Sequence, residues 1–287
     1  MIPIVMSHLT ILKKNEVYLQ IESDPHVFYE LSDQFTFELP GAKFMPQYRK
    51  RYWDGKIRLF NINNGQIYVG LLDKIKKFCE DHDYSYSFVD NEYYGTPFEV
   101  NESISYEGVK DYITSISKYA PREYQIEGVY DALRHNRKLL ISPTASGKSL
   151  MIYSIVRYYV ERGENTLIVV PTTSLVEQMY KDFADYGWDV GSFCHKIYAG
   201  KERETDSQVI ITTWQSIYKL PRNYFKRFSV VVGDEAHQFK SKSLISIMTK
   251  LDHAKYRFGF TGTLDGTQTH KWVLEGLFGP SYKIIGT

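Results

Sequence analysis

Beyond about residue 121 the chain alternates between short apolar runs and longer stretches in which apolar residues recur with helical spacing. A continuous apolar run indicates a strand that is covered on both faces, as in a parallel sheet flanked by helices. Stretches between the runs, such as Leu150–Arg162 and Ser174–Tyr186, have the length of crossover helices. The pattern predicts an α/β domain with parallel strands at Leu139–Ile141, Leu167–Val170, Val209–Ile211, Val230–Val232 and Phe258–Phe260.

The first hundred residues follow a different pattern. Aromatic and serine residues alternate over Tyr84–Phe88, which is typical of a half-exposed strand. Asn64-Gly65 separates two apolar stretches and predicts a two-residue hairpin turn. A short amphipathic helix is predicted around Leu72–Cys79, with Lys74 and Lys77 on its polar face. We therefore expect a small α+β domain with antiparallel strands over residues 1–104 and the α/β domain over residues 105–287.

Composition is that of an ordinary globular protein, with 43% apolar and 24% charged residues. No apolar run is long enough to predict a membrane span. Two cysteines, Cys79 and Cys194, match neither a disulfide framework nor a metal site and fit a reducing compartment such as the cytoplasm. The net charge of +1 hides a segregated distribution, because residues 43–77 hold nine Lys and Arg against two Asp. Residues 80–111 then hold nine acids against Lys110 alone.

A phosphate-binding loop is predicted directly after the first strand of the α/β domain. Such a loop cradles phosphates with backbone N–H groups at the start of a helix. Lys148 would reach the β- and γ-phosphates of ATP, and the Ser149 hydroxyl would hold Mg²⁺. Ser142 occupies the place of the usual first glycine, so the loop is atypical. Its predicted nucleotide-binding residues are Pro143, Thr144, Ala145, Ser146, Gly147, Lys148 and Ser149.

The tetrapeptide Asp234-Glu235-Ala236-His237 follows another buried-strand run. Asp234 would hold Mg²⁺ at the carboxyl end of that strand, and Glu235 would act as the general base that polarises the attacking water. His237 would couple this acid pair to Thr261-Gly262-Thr263 at the end of the next strand. Together the two motifs predict an ATP hydrolase.

Six motifs in a fixed order resemble those of superfamily-two helicases. They are Arg122–Gln125, the phosphate loop, Val170–Gln178, Ile211–Ser216, Asp234–His237 and Phe260–Leu264. The resemblance implies a RecA-like fold in which the strand leading to Thr261 lies between the strands that precede Lys148 and Asp234. It also implies that Gln125 reads the adenine edge, with Arg122 against the base. The implied nucleic-acid contacts are Pro171, Thr172, Thr173, Gln178, Thr212, Thr213 and Gln215.

The N-terminal region, which includes Tyr52–Phe60, further resembles that of the UvsW-type helicases of T-even bacteriophages. This resemblance implies a phage protein of the host cytoplasm that remodels branched DNA and R-loops in recombination, replication and repair. Nothing after Leu264 resembles the remaining helicase motifs. We therefore expect an N-terminal fragment of a longer protein whose second RecA-like domain supplies a catalytic arginine, and little activity from the fragment alone.

Two alternatives stay open on the residues. The tetrapeptide also marks RNA helicases, and the missing arginine would suit a non-catalytic, nucleotide-gated binding module. In the N-terminal domain, the basic stretch with its interleaved tyrosines predicts a contact with duplex DNA. The residues concerned are Arg49, Lys50, Arg51, Lys74 and Lys77, and a solvated basic face is the other interpretation.

Overall fold

A computed structural model describes residues 7–97, 99–143, 146–200, 204–238, 241–262 and 268–284. By its contacts the chain divides into two compact units. The first comprises Met1–Phe98 and Asp265–Leu277, and the second comprises Glu99–Leu264 and Phe278–Thr287. No helix among the described residues has the length and apolar content to cross a bilayer.

The first unit is built on a four-stranded sheet with the order β5-β2-β1-β6. The central β1–β2 and β2–β5 pairs are antiparallel, and β6 adds in parallel at the edge beside β1. A separate antiparallel pair joins β3 to β4. The strands are β1 (His8–Lys13), β2 (Tyr18–Glu22), β3 (Thr36–Glu38), β4 (Lys56–Arg58), β5 (Gln66–Tyr68) and β6 (Ser85–Val89), and the helices are α1 (Pro25–Gln34), α2 (Pro46–Arg49) and α3 (Leu72–Asp81).

The hairpin expected at Asn64-Gly65 is only partly present. A tight turn closes between Asn61 and Gln66, and Gly65 there has a φ of +67°. The preceding strand, β4, pairs with β3 rather than with β5. A turn at this position was therefore predicted correctly, but it has four residues (62–65) rather than two, and the predicted pairing of the flanking strands was wrong.

The second unit is a seven-stranded parallel sheet with the order β13-β7-β12-β11-β8-β10-β9. Helices α4 (Tyr106–Ile116), α5 (Glu123–His135), α6 (Lys148–Val160), α7 (Thr173–Tyr186), α8 (Val190–Phe193), α9 (Trp214–Ile217), α10 (Arg222–Phe225) and α11 (Ser241–Lys250) connect or flank its strands. The strands are β7 (Arg137–Ile141), β8 (Thr166–Val170), β9 (Cys194–Ile197), β10 (Val209–Thr213), β11 (Val230–Gly233), β12 (Tyr256–Thr261) and β13 (Ser281–Lys283).

The predicted RecA-like sheet is confirmed. All five predicted strands are present, and β8, β10 and β11 are buried along their whole length, as a sheet covered on both faces requires. The strand that ends at Thr261, β12, lies between β7 and β11 as expected. The sheet therefore brings the carboxyl ends of β7, β12 and β11 together, and these ends are followed by the phosphate loop, Gly262 and Asp234 respectively.

The last helix, α12 (Gln268–Phe278), lies in the part of the sequence expected to form the α/β domain, but most of it packs within the first unit. The Trp272 ring centroid lies 5.4 Å from that of Phe35 and 5.0 Å from that of Phe37. A Cβ on Gly70 would lie only 1.9 Å from the Glu275 carbonyl oxygen, so this approach requires glycine. The two segments of the first unit are thus closely packed against each other.

Candidate nucleotide site and nucleic-acid cleft

The predicted phosphate loop joins β7 to α6, as the motif requires. Gly147 precedes the helix with a φ of +73°, a conformation that favours glycine, and a Cβ there would lie 2.4 Å from the Gln125 amide nitrogen, so Gln125 would have to shift. The Ser142 N–H donates to the Thr261 carbonyl at 2.8 Å, and the Ser142 and Ser146 hydroxyls contact each other while buried. Pro143 is exposed, and Thr144 and Ala145 lie outside the described residues. The backbone of Ser142 therefore ties the loop to β12, and its side chain contacts Ser146 within the loop.

Lys148 and Glu235 form an ion pair between Nζ and Oε1, which joins the loop to the acidic motif. Both side chains are largely covered, with 13% and 21% exposure. Glu235 has a φ of +49°, which is uncommon for a residue with a side chain, and its N–H donates to Asp234 Oδ1 at 2.9 Å. The strained backbone at Glu235 places the two carboxylates of this motif in different surroundings.

Asp234 is the buried member of that pair of acids. Burial raises the pKa of its carboxyl to about 6, the nearby Glu235 adds to the rise, and the positive charge of Lys148 opposes it. A bound cation would stabilise the charged form of this carboxyl, which burial disfavours. The Asp234 carboxylate oxygen and the Ser149 hydroxyl are hard ligands of the kind that Mg²⁺ prefers.

Ser149 contacts a residue that was not predicted for the site. Its hydroxyl lies 2.7 Å from the Tyr186 hydroxyl at the end of α7. A metal ion bound at Ser149 would therefore compete with, or share, this hydrogen bond. Tyr186 carries no motif signature, and its role could be seen only after α6 and α7 were placed side by side.

His237 bridges the acidic motif and the end of β12. Its Nδ1 lies 2.7 Å from the Thr261 hydroxyl and 3.5 Å from Glu235 Oε2. Gly262 follows directly, and Thr263 lies outside the described residues. We call the connected set Lys148, Glu235, His237 and Thr261 the coupling network. His237 thus lies between the acidic motif and Thr261, as the sequence predicted.

Gln125 is buried against the phosphate loop. Its amide nitrogen donates to the carbonyls of Ser146, at 2.9 Å, and Gly147, at 3.3 Å, and its oxygen accepts from the Arg122 N–H at 2.9 Å. The Arg122 guanidinium donates to the Tyr124 hydroxyl, which in turn donates to the Ser146 carbonyl. Both polar atoms of Gln125 are thus engaged, and an adenine edge would have to take over part of these contacts. Tyr124, inside the motif, was not predicted to hold the loop.

An open cleft of about 530 Å³ lies at the carboxyl ends of β8, β10 and β9. Gln215 donates from Nε2 to the Pro171 carbonyl at 3.2 Å, which joins the two helicase motifs across the cleft. The Thr172 hydroxyl caps α7 by accepting from the Leu175 N–H. The predicted residues that line the cleft are Pro171, Thr172, Thr173, Thr213 and Gln215, and they are joined by Tyr198, Ala199, Gly200 and Ser216.

Two residues predicted for this track lie elsewhere. Thr212 is fully buried and its hydroxyl donates to the Thr213 carbonyl, while Gln178 is exposed on α7 but outside the lining of the cleft. Tyr198 and Gly200 were missed because they follow β9, a strand whose His195 and Lys196 interrupt the apolar run that marked the others.

The predicted basic residues of the first unit fall into two groups. Arg49, Lys50 and Arg51 are exposed around the short helix α2. Lys74 instead forms an ion pair with the buried Glu275, at 2.9 Å, and its Nζ lies 4.8 Å from the Trp272 ring centroid. Lys77 is exposed and pairs with Asp81 one turn away.

Comparisons with known proteins agree with this geometry. Residues 118–266 match the family model described as "Type III restriction enzyme, res subunit", and residues 9–90 match that of "DNA helicase UvsW, N-terminal". The chain is 32% identical over 281 residues to the ATP-dependent DNA helicase uvsW of Enterobacteria phage T4, a match that covers 94% of this chain and 55% of that protein. It thus spans about half the length of that relative.

Solved structures give the same result. The structure titled "Crystal structure of the UvsW helicase from Bacteriophage T4" superposes with a TM-score of 0.85 at 31% identity, covering 96% of this chain and 99% of that one. A longer T4 UvsW structure gives a TM-score of 0.86 and is covered over 57% of its length. The chain therefore belongs to the superfamily-two ATP-dependent DNA helicases, with the motifs of the type III restriction enzyme res family behind an N-terminal domain of the UvsW kind.

Proposed function

We propose that this chain is the ATP-binding motor portion of a DNA helicase or translocase that remodels branched DNA and R-loops in phage recombination, replication and repair. The coupling network is the observation that carries the proposal. It joins the residues expected to meet phosphate, water and the following strand through direct contacts. Such a connection suits a site whose nucleotide state is passed on to another part of the chain.

The ion pair between Lys148 and Glu235 suggests how ATP would act on the site. The β- and γ-phosphates would draw Lys148 away from Glu235, because they offer a larger negative charge to its ammonium group. The released Glu235 carboxylate would then be available to polarise the attacking water. Asp234 and Ser149 would hold Mg²⁺, which when bound neutralises charge on the phosphates.

His237 would carry this change to the DNA side. When Glu235 changes partner, the 3.5 Å contact between its Oε2 and His237 is altered, and with it the hydrogen bond to Thr261. Thr261 in turn holds Ser142 through its carbonyl. Glu235, His237 and Thr261 would therefore sense the nucleotide together.

One DNA strand would lie in the cleft lined by Thr172, Thr173, Thr213 and Gln215. Hydroxyl, amide and backbone N–H groups suit phosphate contacts that do not read sequence. The basic residues of the first unit would provide a second contact with the phosphates of DNA. A second RecA-like domain of the longer protein would supply the arginine that stabilises transition-state charge.

ATP turnover by the full-length protein, measured with duplex DNA, branched DNA and RNA of equal length, tests the proposal. We expect stimulation by DNA, strongest with branched DNA. Stimulation by RNA alone would favour the RNA-helicase alternative. No turnover with any of these nucleic acids, together with retained ATP binding, would favour the non-catalytic module.

A further inference from the structure

Three aromatic side chains are exposed within nine residues of the first unit, between β3 and β4. Phe44 is 67% exposed, Tyr48 41% and Tyr52 82%. Single exposed aromatic residues are common on protein surfaces, but a cluster marks a surface that binds something. We call Phe44, Tyr48 and Tyr52 the aromatic platform.

The backbone beneath the platform is ordered by its own hydrogen bonds. The Tyr52 N–H donates to the Gln47 carbonyl at 2.9 Å, and the Arg51 N–H donates to the Tyr48 carbonyl at 2.9 Å. The Tyr48 ring lies against Gly55, where a Cβ would come within 3.1 Å of two ring carbons. The rings are thus displayed on a fixed support, which lowers the entropy cost of binding a ligand.

Positive charge surrounds the platform. Lys43, Arg49 and Arg51 line a shallow cleft of about 610 Å³ together with Tyr48, Tyr52, Trp53 and Asp54. Within the described part of the chain, no ion pair to an acidic group involves Lys43, Arg49, Lys50 or Arg51. Asp54, the acid in the cleft, is bound by Arg58, and this contact and a backbone N–H lower the pKa of Asp54 to about 2. The lining of this cleft therefore suits a ligand that is anionic and has flat apolar faces.

We propose that the aromatic platform binds a single strand of DNA, with unpaired bases stacked on Tyr52 and its neighbours and phosphates held by Arg49, Arg51 and Lys43. This inference rests on the proposed function and names the form of DNA that this segment takes. Cations alone would suffice for a duplex contact, since the faces of paired bases are covered by their neighbours. Exposed rings beside cations are what single-stranded DNA binds, because each ring can stack on an unpaired base.

The test uses the 287-residue chain and a fluorescent 15-nucleotide oligothymidylate, with binding followed by anisotropy. Tyr52→Ala should weaken binding about tenfold, the loss expected for one stacked base. Tyr52→Phe should bind within about twofold of the wild type, because it keeps the ring. An abasic strand of the same length should bind Tyr52→Ala and wild type equally, since it offers phosphates without bases.

Tyr93 provides a matched control. It is 85% exposed in the same unit but lies beside Glu92 in the acidic stretch, so Tyr93→Ala should leave binding unchanged. Photocrosslinking with 5-iodouracil in the oligonucleotide gives an independent measurement, and the crosslinked peptide should include Phe44–Tyr52. Unchanged affinity of Tyr52→Ala and Phe44→Ala, no crosslink in this segment, or an equal loss on duplex and abasic DNA would each overturn the inference.

Thr173→Ala/Gln215→Ala, in the cleft of the second unit, separates this inference from the proposed function. If that variant loses DNA binding while Tyr52→Ala does not, only the platform is wrong. If neither variant alters DNA binding, the proposed function fails as well.

Discussion

Basic side chains meet opposite surroundings in the two units. Lys148 is largely covered and neutralised by Glu235, whereas Arg49, Lys50 and Arg51 are exposed around α2. A buried cation needs an anion, because an unpaired charge in the interior is very costly, and so its ligand must replace a partner already in place. An exposed cation is solvated by water and needs no anionic partner. Its ligand can therefore be inferred only from the side chains around it. Lys74, paired with the buried Glu275, shows that the first unit holds both kinds.

The sharpest test of the buried kind is Lys148→Ala in the full-length protein. Removing the cation that should meet the phosphates should reduce ATP turnover at least about 10³-fold, measured by phosphate release. Lys138→Ala is a matched control, because Lys138 is also 13% exposed and pairs with Asp131 at 2.9 Å, away from the loop. If both variants lose turnover equally once the folded fraction is matched, loss of a buried ion pair explains the effect and the phosphate role is wrong.

Glu235→Gln separates nucleotide binding from hydrolysis. The amide keeps the shape of the side chain but cannot accept a proton from water, so turnover should fall about 10²- to 10⁴-fold. ATP affinity, measured with a fluorescent analogue, should be kept or increased, since Lys148 no longer has a carboxylate to leave. Near wild-type turnover would disprove the general-base assignment.

Asp234→Asn tests how much the buried, ionised carboxyl of Asp234 lowers the free energy of unfolding of the nucleotide-free chain. The folded pKa of about 6 lies above the ordinary value of 3.8, so the folded state holds this proton more tightly than the unfolded state does. Stability contributed by the group is therefore lost as pH rises from about 4 to 6. The variant should be about 1–3 kcal/mol more stable than wild type at pH 8 and no more stable at pH 4. Thermal melts at the two pH values measure this, and a gain of equal size at both would point to a packing effect.

His237→Ala should reduce DNA stimulation of ATP turnover about tenfold while changing basal turnover much less, because the link between Glu235 and Thr261 is lost. His135→Ala serves as the control, since His135 also contacts a carboxylate, Asp131, at 3.2 Å but lies outside the network. Equal loss of basal and stimulated turnover would make His237 a structural residue rather than a coupling one.

The exposed cations around α2 are tested by the salt dependence of DNA binding, and here the expected effect is the smallest. Arg49→Ala/Arg51→Ala should lower the slope of log affinity against log salt by about 1–2. Binding by the variant makes fewer phosphate contacts and therefore releases fewer counterions. Lys74→Ala/Lys77→Ala should change it less, because Glu275 and Asp81 already neutralise those lysines. The reverse order would show that α3, and not the segment around α2, faces the DNA.

Strands at the centre of the parallel sheet could be predicted from the sequence, because burial on both faces leaves a continuous apolar run. The edge strands β9 and β13 could not, since one side is open and polar residues such as Lys196 and Lys283 are tolerated there. Motif spacing predicted which residues meet at the nucleotide site for a similar reason, as the sheet order fixes the ends of its strands. Contacts made by Tyr186 and Glu275 depend on how helices pack, which carries no local signature.

The packing of helix α12 limits which gene segments related proteins can exchange by recombination. The first unit is encoded by two separate stretches of the gene, since Asp265–Leu277 packs with residues that precede it in the sequence by more than two hundred positions. Recombination that swapped only the first 98 residues between relatives would pair a foreign Lys74 and Gly70 with a resident Glu275. Such hybrids should be less soluble than those that exchange both pieces, so the two segments are expected to be inherited together.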